Sequence, residues 1–198
     1  MAKIPYMKAP RKIVASLALV ALMGGATVAD QTANEIARYE GYVPVGYRDP
    51  VGIPTKCYGE IDDVVLGKRY AFAECERGLN AHIVELLTPV RQCIRDFDRL
   101  PDKSKIAIAS MTYNIGSGAM CKSSIVQYFN AHNWTRACKR MAEIYKTARG
   151  KALPGLVKRR KGESKLCLQG LEEGVTDTAA LPVELRQAEV AMCERGGM

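Results

Sequence analysis

The chain has 198 residues, of which 47% are apolar and 25% charged, and its formal net charge is +8. It is too apolar for a disordered chain, and long enough for one domain of roughly 150 residues with a real core and flanking segments. The positive balance suits a polyanionic partner, but no helix-turn-helix, ribonucleoprotein or finger signature is present and the aromatic residues are not interleaved with the basic ones, so no nucleic acid is expected.

The amino terminus comes first. Lys3, Lys8, Arg11 and Lys12 precede an uncharged run from Ile13 to Ala29, which Asp30 closes. As a helix, 17 residues span about 26 Å, slightly short of the ~30 Å hydrocarbon core of a bilayer. Nine of the 17 are Ala, Gly, Ser or Thr, so the run is only weakly hydrophobic, and Gly24-Gly25 interrupts it. The basic flank keeps the N-terminus in the cytoplasm and sends the rest outward. Two readings remain open. Small residues at Thr27-Val28-Ala29 and Gly24-Gly25-Ala26 fit a cleaved secretory signal. The alternative is a helix that inserts, is not cut, and later leaves the membrane.

Gln31 to Glu40 reads as a short helix that Gly41 stops. Ile36 and Glu40 are four residues apart and share one face. Glu40 therefore sits at the negative end of a helix dipole and beside an apolar stripe. Both features favour its protonated form, as a general acid requires. Tyr42 to Val45 is strand-like with Pro44 inside it, and Gly46 and Pro50-Val51-Gly52 are turn signals. Asp49 in such a solvent-facing β-element stays ionised. Thr55 can hold a water against it. One raised and one ordinary carboxyl facing each other is the arrangement that glycoside hydrolysis uses.

The spacing of these groups, E-G…Y-x-D-x-x-G-x-x-T-x-x-Y-G, is carried by Glu40, Gly41, Tyr47, Asp49, Gly52, Thr55, Tyr58 and Gly59. It closely resembles the phage lysozymes of the T-even type, glycoside hydrolase family 24. Cys57 stands where many relatives carry glycine, and Glu60-Ile61-Asp62 replaces the more usual His-Thr. The resemblance implies that Glu40 is the acid, that Asp49 positions or activates water with help from Thr55, and that the anomeric carbon is inverted. It also favours the second reading of the amino terminus, because some phage endolysins of this family begin with a signal-anchor-release segment. The cysteine-dependent switch of some relatives needs a cysteine in the anchor, and residues 13–29 contain none.

The seven cysteines, Cys57, Cys75, Cys93, Cys121, Cys138, Cys167 and Cys193, all lie beyond the exported boundary. They form no C-x-x-C pair and the two histidines lack ligand spacing, so no metal is expected. The first six allow three disulfides in fifteen pairings, with Cys193 left over.

Further along, Leu66 to Leu87 carries helical spacing at Ala73, Leu79, Ile83 and Leu87, and Val90 to Phe97 continues it. Leu100-Pro101 breaks the pattern. Asp102 is expected to cap a helix to about Tyr113, whose Ile106–Met111 stretch is apolar nearly all round and hence buried. Tyr113-Asn114-Ile115-Gly116 resembles the family's F/Y-N-x-G segment, which makes Asn114 either a cleft residue or a turn residue. Asn133 caps a helix to about Tyr145 with Trp134 on its apolar side, a core position rather than a sugar platform. Leu153 to Cys167 resembles G-L-x-x-R-R-x-x-E-x-x-L-C. Arg159 and Arg160 there either meet wall carboxylates or pair with Glu163, which lies four residues beyond Arg159. Val175 to Ala180 reads as a linker and Val183 to Cys193 as a short amphipathic helix.

The expected organisation is a signal or anchor segment (1–29), a catalytic domain (30–170) and a tail (171–198). The expected fold is α+β and lysozyme-like, with a small N-terminal β lobe facing a larger helical lobe. The resemblance implies a monomeric endolysin without a cofactor. It would be exported to the host periplasm, tethered at first to the inner membrane through residues 13–29, and would cut peptidoglycan between N-acetylmuramic acid and N-acetylglucosamine. Two rival readings are a lytic transglycosylase, against which Asp49 and Thr55 count, and a non-catalytic wall-binding or membrane-disrupting protein.

Overall fold

The structure, a computed structural model, describes residues 6–148 and 150–179. Residues 6–16 form an extended strap across the domain. Helix α1 (Leu17–Met23) starts at Ser16, whose Oγ accepts from the Leu19 amide, and stops at Gly24, whose φ of 85° is left-handed. Gly25 then leads into α2 (Ala26–Glu40). The expected helix at Gln31 thus starts five residues earlier. Val28, Ala29, Thr32, Ala33 and Ile36 form one continuous buried face, so the last residues of the uncharged run extend the same amphipathic helix. Gly41 ends it at φ 76°, with its N–H bonded to the Ala37 carbonyl.

Strands β1 (Val43–Arg48) and β2 (Pro54–Cys57) form an antiparallel hairpin with Tyr47 opposite Thr55 and Arg48 opposite Pro54. The register shifts between Val43 and Tyr47. Pro44 lies in that stretch and has no N–H to offer a ladder. The irregular strand is held from its other side: the Tyr70 amide donates to the Pro44 carbonyl, and Gly46 exchanges hydrogen bonds with Gly67 and Lys68. A Cβ at Gly46 would stand 2.2 Å from the Val65 carbonyl oxygen, so the backbones meet directly there.

Helix α3 (Phe72–Cys93) begins later than the expected Leu66, because residues 66–71 are the loop that braces the hairpin. Cys75, Leu79, Ile83, Leu87 and Val90 make its buried stripe, and Ala73 is exposed. The helix ends at Cys93, and Phe97–Arg99 is a separate 3-10 turn rather than a continuation. Helix α4 (Asp102–Ile115) is buried without a break from Ser104 to Thr112, as its all-round apolar character predicts. Asp102 lies inside its first turn, with Pro101 at the cap and no side-chain capping bond. There the carboxylate complements the helix dipole instead of closing the helix end.

Short helices α5 (Ser117–Lys122), α6 (Ser124–Asn130) and α7 (Trp134–Met141) follow. Asn133 caps α7 as expected, accepting from the Arg136 amide at 3.2 Å, but the helix stops at Met141 and not at Tyr145. A two-residue hairpin, β3 (Thr147–Ala148) and β4 (Lys151–Ala152), leads into α8 (Pro154–Ala179). Helix α8 packs on α4 and α7. Its backbone is helical through Ala179, so the expected linker at 175–180 is helical over its described residues, 175–179. The expected tail helix at 183–193 and Cys193 lie outside the described residues. Three disulfides join consecutive cysteines. Cys57–Cys75 ties β2 to α3, Cys93–Cys121 ties α3 to α5, and Cys138–Cys167 ties α7 to α8.

The strap and α1 belong to the packed molecule. Ile13, Leu19 and Met23 are in the core. Side chains of α2 and α3 take up the strap's backbone: Asn34 Oδ1 accepts from the Ile13 amide, Asp30 from Ala15, Glu76 from Val14 and Asn80 from Ser16. Asn34 and Asn80 also donate to the Ile13 and Val14 carbonyls. Arg11 forms two hydrogen bonds with Glu76, at 2.9 and 2.7 Å, and lies 4.7 Å over the Phe72 ring. No helix among the described residues is long and apolar enough to cross a membrane.

Candidate active site

Glu40 is the last residue of α2 and points to the first turns of α8. Arg159 Nη1 donates to its Oε1 at 2.8 Å. The same guanidinium donates from Nε to Glu163 Oε1 at 3.0 Å and from Nη2 to the Ser110 carbonyl at 2.9 Å. Glu163 is fully buried and also accepts from Ser110 Oγ at 2.8 Å. Arg160 Nε stands 3.1 Å from Glu163 Oε2, a charge contact not aligned as a hydrogen bond, and its Nη2 donates to Asn114 Oδ1 at 2.8 Å. The guanidinium of Arg159 therefore has three fixed acceptors, and its direction toward Glu40 is not free to wander.

Burial raises the pKa of Glu40 above the ordinary carboxylate value. Arg159 pulls the other way by charge and by hydrogen bond, followed by His82 and Arg160. The shift agrees with the sequence expectation, with burial as its leading cause. A carboxyl so placed holds a proton longer than an exposed one, and once it has given the proton up its negative charge meets Arg159.

Across the site, the β1–β2 turn fixes Asp49. Its Oδ1 accepts from the Val51 and Ile53 amides at 3.0 and 2.7 Å, and its own amide donates to the Ile53 carbonyl. Thr55 is buried and donates its hydroxyl to that same carbonyl at 3.0 Å. Asp49 and Thr55 are thus tied through one peptide unit. Tyr47 stands opposite Thr55 in the hairpin. Burial raises its pKa first, and the nearby Tyr6, Asp49 and Glu40 add to the rise.

The structure joins Glu40 and Arg159 directly, and reaches Asn114 through Glu163 and Arg160. Asn114 is in the last turn of α4, before Gly116 at φ 82°. The pairing of Arg159 with Glu163 follows from the i,i+4 spacing. Arg160 also meets Glu163, one of the two alternatives its sequence allowed, whereas the role of Ser110 carried no sequence signal. Tyr113 was also missed. Its hydroxyl donates to the Tyr58 carbonyl at 3.2 Å, and its pKa is raised by burial and then by the charges of Glu40 and Glu60. Trp134 is half-buried against the core. Among the described residues no His, Cys, Asp or Glu cluster is arranged to hold a metal ion.

Residues 37–163 match the family model described as phage lysozyme. The chain is 30% identical over 161 residues to the SAR-endolysin of Enterobacteria phage P21, covering 77% of this chain and 94% of that protein. It is 30% identical over 158 residues to the SAR-endolysin of Escherichia phage Mu, covering 78% and 90%. Among solved structures, the endolysin from Escherichia coli O157:H7 phage FAHEc1 superimposes with a TM-score of 0.63 at 29% identity, over 70% of this chain and 90% of that one. The active form of the P1 phage endolysin Lyz shares the fold, with a TM-score of 0.66 at 24% identity over 80% and 97% of the two chains.

Proposed function

The chain belongs to the phage lysozyme family, and from that premise we propose that it is an endolysin, a glycoside hydrolase that cuts the β-1,4 bond between N-acetylmuramic acid and N-acetylglucosamine in peptidoglycan. Glu40 is the general acid. It protonates the glycosidic oxygen as the bond to the anomeric carbon lengthens, and Arg159 stabilises the carboxylate that results. Asp49 faces the developing positive charge and, with Thr55, holds the attacking water. Arg159 and Asn114 border the substrate-binding side. The observation that supports this reading most directly is the pair of unlike carboxyls. Glu40 is raised by burial at the end of a helix, and Asp49 is held by two amides in an exposed turn.

Purified peptidoglycan should be digested with the oxidised full chain and with its Glu40→Gln variant, and the products identified by mass spectrometry. Hydrated reducing muramic ends are expected from the parent. The variant should be slower by about a hundred- to ten-thousand-fold. Anhydro ends would instead identify a lytic transglycosylase, and no cleavage by the folded parent would favour a wall-binding protein.

The same proposal extends to location. The chain is exported, is tethered at first through residues 13–29, and leaves the membrane uncut to act as a monomer in the periplasm. Two observations support it: the names of the P21 and Mu relatives, and the packing of α1 and the first turn of α2 in the core, which a cut after Ala29 would remove. N-terminal sequencing of the soluble enzyme from lysing cells should find residues before Ala29 still attached. A start at Asp30 would show cleavage instead.

A further inference from the structure

The strap reaches the active site. The Cδ1–Cε1 edge of Tyr6 leans on Gly41, where an added Cβ would stand 2.4 Å from Cδ1 and 2.6 Å from Cε1. Gly41 directly follows Glu40. The next strap residue, Met7, bridges Tyr42, its amide donating to the Tyr42 carbonyl at 2.8 Å. Two consecutive strap residues are therefore set against the two residues that follow the acid. Tyr6 is nonetheless 59% exposed, so much of its ring is open. It is also close enough to Tyr47 to perturb it, and Tyr47 is the side chain that feels both Asp49 and Glu40.

An exposed aromatic ring at this place has a chemical use. The carbon-bound hydrogens on one face of a pyranose ring make that face apolar, and aromatic side chains offer a flat apolar body with a polar tip. We propose that Tyr6 is a glycan-binding residue, its open ring packing on an N-acetylhexosamine of the peptidoglycan strand beside the bond that Glu40 protonates. This rests on the reading of the site as a peptidoglycan hydrolase. It gives the strap a part in substrate binding, since Tyr6 stands at the rim only while residues 7–16 lie along α2 and α3. The hydrogen bonds to Asp30, Asn34, Glu76 and Asn80 keep them there. Gly41 then answers two demands, a left-handed φ and room for the ring.

The test uses the full chain with Tyr6→Ala and Tyr6→Phe, each in the parent and in the Glu40→Gln background. Initial rates on purified peptidoglycan give KM and kcat. Co-sedimentation of the Glu40→Gln proteins with the same material gives binding without turnover. For Tyr6→Ala, the expected result is a rise of about 2- to 10-fold in both KM and the half-saturation for sedimentation. kcat should change far less, and Tyr6→Phe should recover most of the loss. Unchanged sedimentation by Tyr6→Ala overturns the proposal. Tighter binding does so too, because the ring would then be an obstruction. An equal loss in Tyr6→Phe, or a loss accompanied by a fall of several degrees in Tm, assigns the residue to holding the strap and also overturns it. If the parent does not cleave at all, the hydrolase reading fails while sedimentation still decides the role of Tyr6.

Discussion

Glu60 stands where relatives more usually carry histidine, and the fold raises its pKa to about 7, first by burial and then through Glu74 and Asp62, with Lys56 opposing. It is pressed on α3, where a Cβ at Gly78 would be 2.3 Å from its Oε2, and its Oε1 is buried without a hydrogen-bond partner among the described residues. The folded protein binds this proton more tightly than the unfolded chain does. Stability therefore falls as pH rises from about 4.5 to about 7 and levels off above. Glu60→Gln should melt with the parent at pH 4.5 and above it at pH 8, as a pair of thermal scans would show. Glu163→Gln is expected to act in the opposite sense. It leaves the buried Arg160 and Arg159 facing a neutral amide, at a cost of about 3–5 kcal/mol in urea unfolding. Activity should fall as well, because Arg159 loses the carboxylate charge that helps aim it at Glu40. Glu40, Asp49 and Thr55 could be singled out together in the sequence because they lie within one short stretch whose spacing is set by a helix end and a hairpin. The bond from Arg159 to Glu40 was not legible, since it joins residues 119 apart and depends on how α8 crosses α2.

Among the elements, the strap has the most specific chemistry, with side chains of two helices standing in for a missing sheet partner. Asn80 is 3% exposed and makes two of these bonds, accepting from the Ser16 amide and donating to the Val14 carbonyl, both at 3.0 Å. Asn80→Ala should cost about 1–3 kcal/mol, because it leaves those backbone groups unpaired. Hydrogen exchange should then quicken at residues 13–16 while α4 stays protected. The elements legible in advance were those with a strong local pattern: α4 with its all-round apolar surface, the Asn133 cap, and the Gly41 stop. The errors fell where tertiary structure overrides local preference. Residues 66–71 have helical spacing but are needed to brace the bulged hairpin. Residues 175–179 have the look of a linker, yet α8 is already several turns long and propagates through them.

For the whole molecule, the disulfides are distributed along the chain as three local staples, each closing a loop of 18, 28 or 29 residues. Loops of that size stabilise by roughly 3 to 4 kcal/mol each in the chain-entropy account. Full reduction should therefore lower Tm strongly, and a thermal scan with and without reductant checks it. Sequential pairing could not be chosen from fifteen alternatives by spacing, whereas the division into a small hairpin lobe and a helical lobe could be foreseen. So could the break at Gly24-Gly25. What periodicity could not supply was the destination of the segment before that break, because a weakly apolar run is equally at home in lipid or against a protein core. Helix α2 makes this ambiguity consequential. It begins in the uncharged run at Ala26 and ends on Glu40, so on the proposed life history a few positions must satisfy two solvents in turn. A larger apolar side chain at Val28 or Ala29 would lengthen residence in lipid and then find no room in the folded domain, where both sites are buried. A charge would fail in both settings. In a saturation library these positions should accept an unusually narrow alphabet, and early or late lysis should accompany the few exceptions.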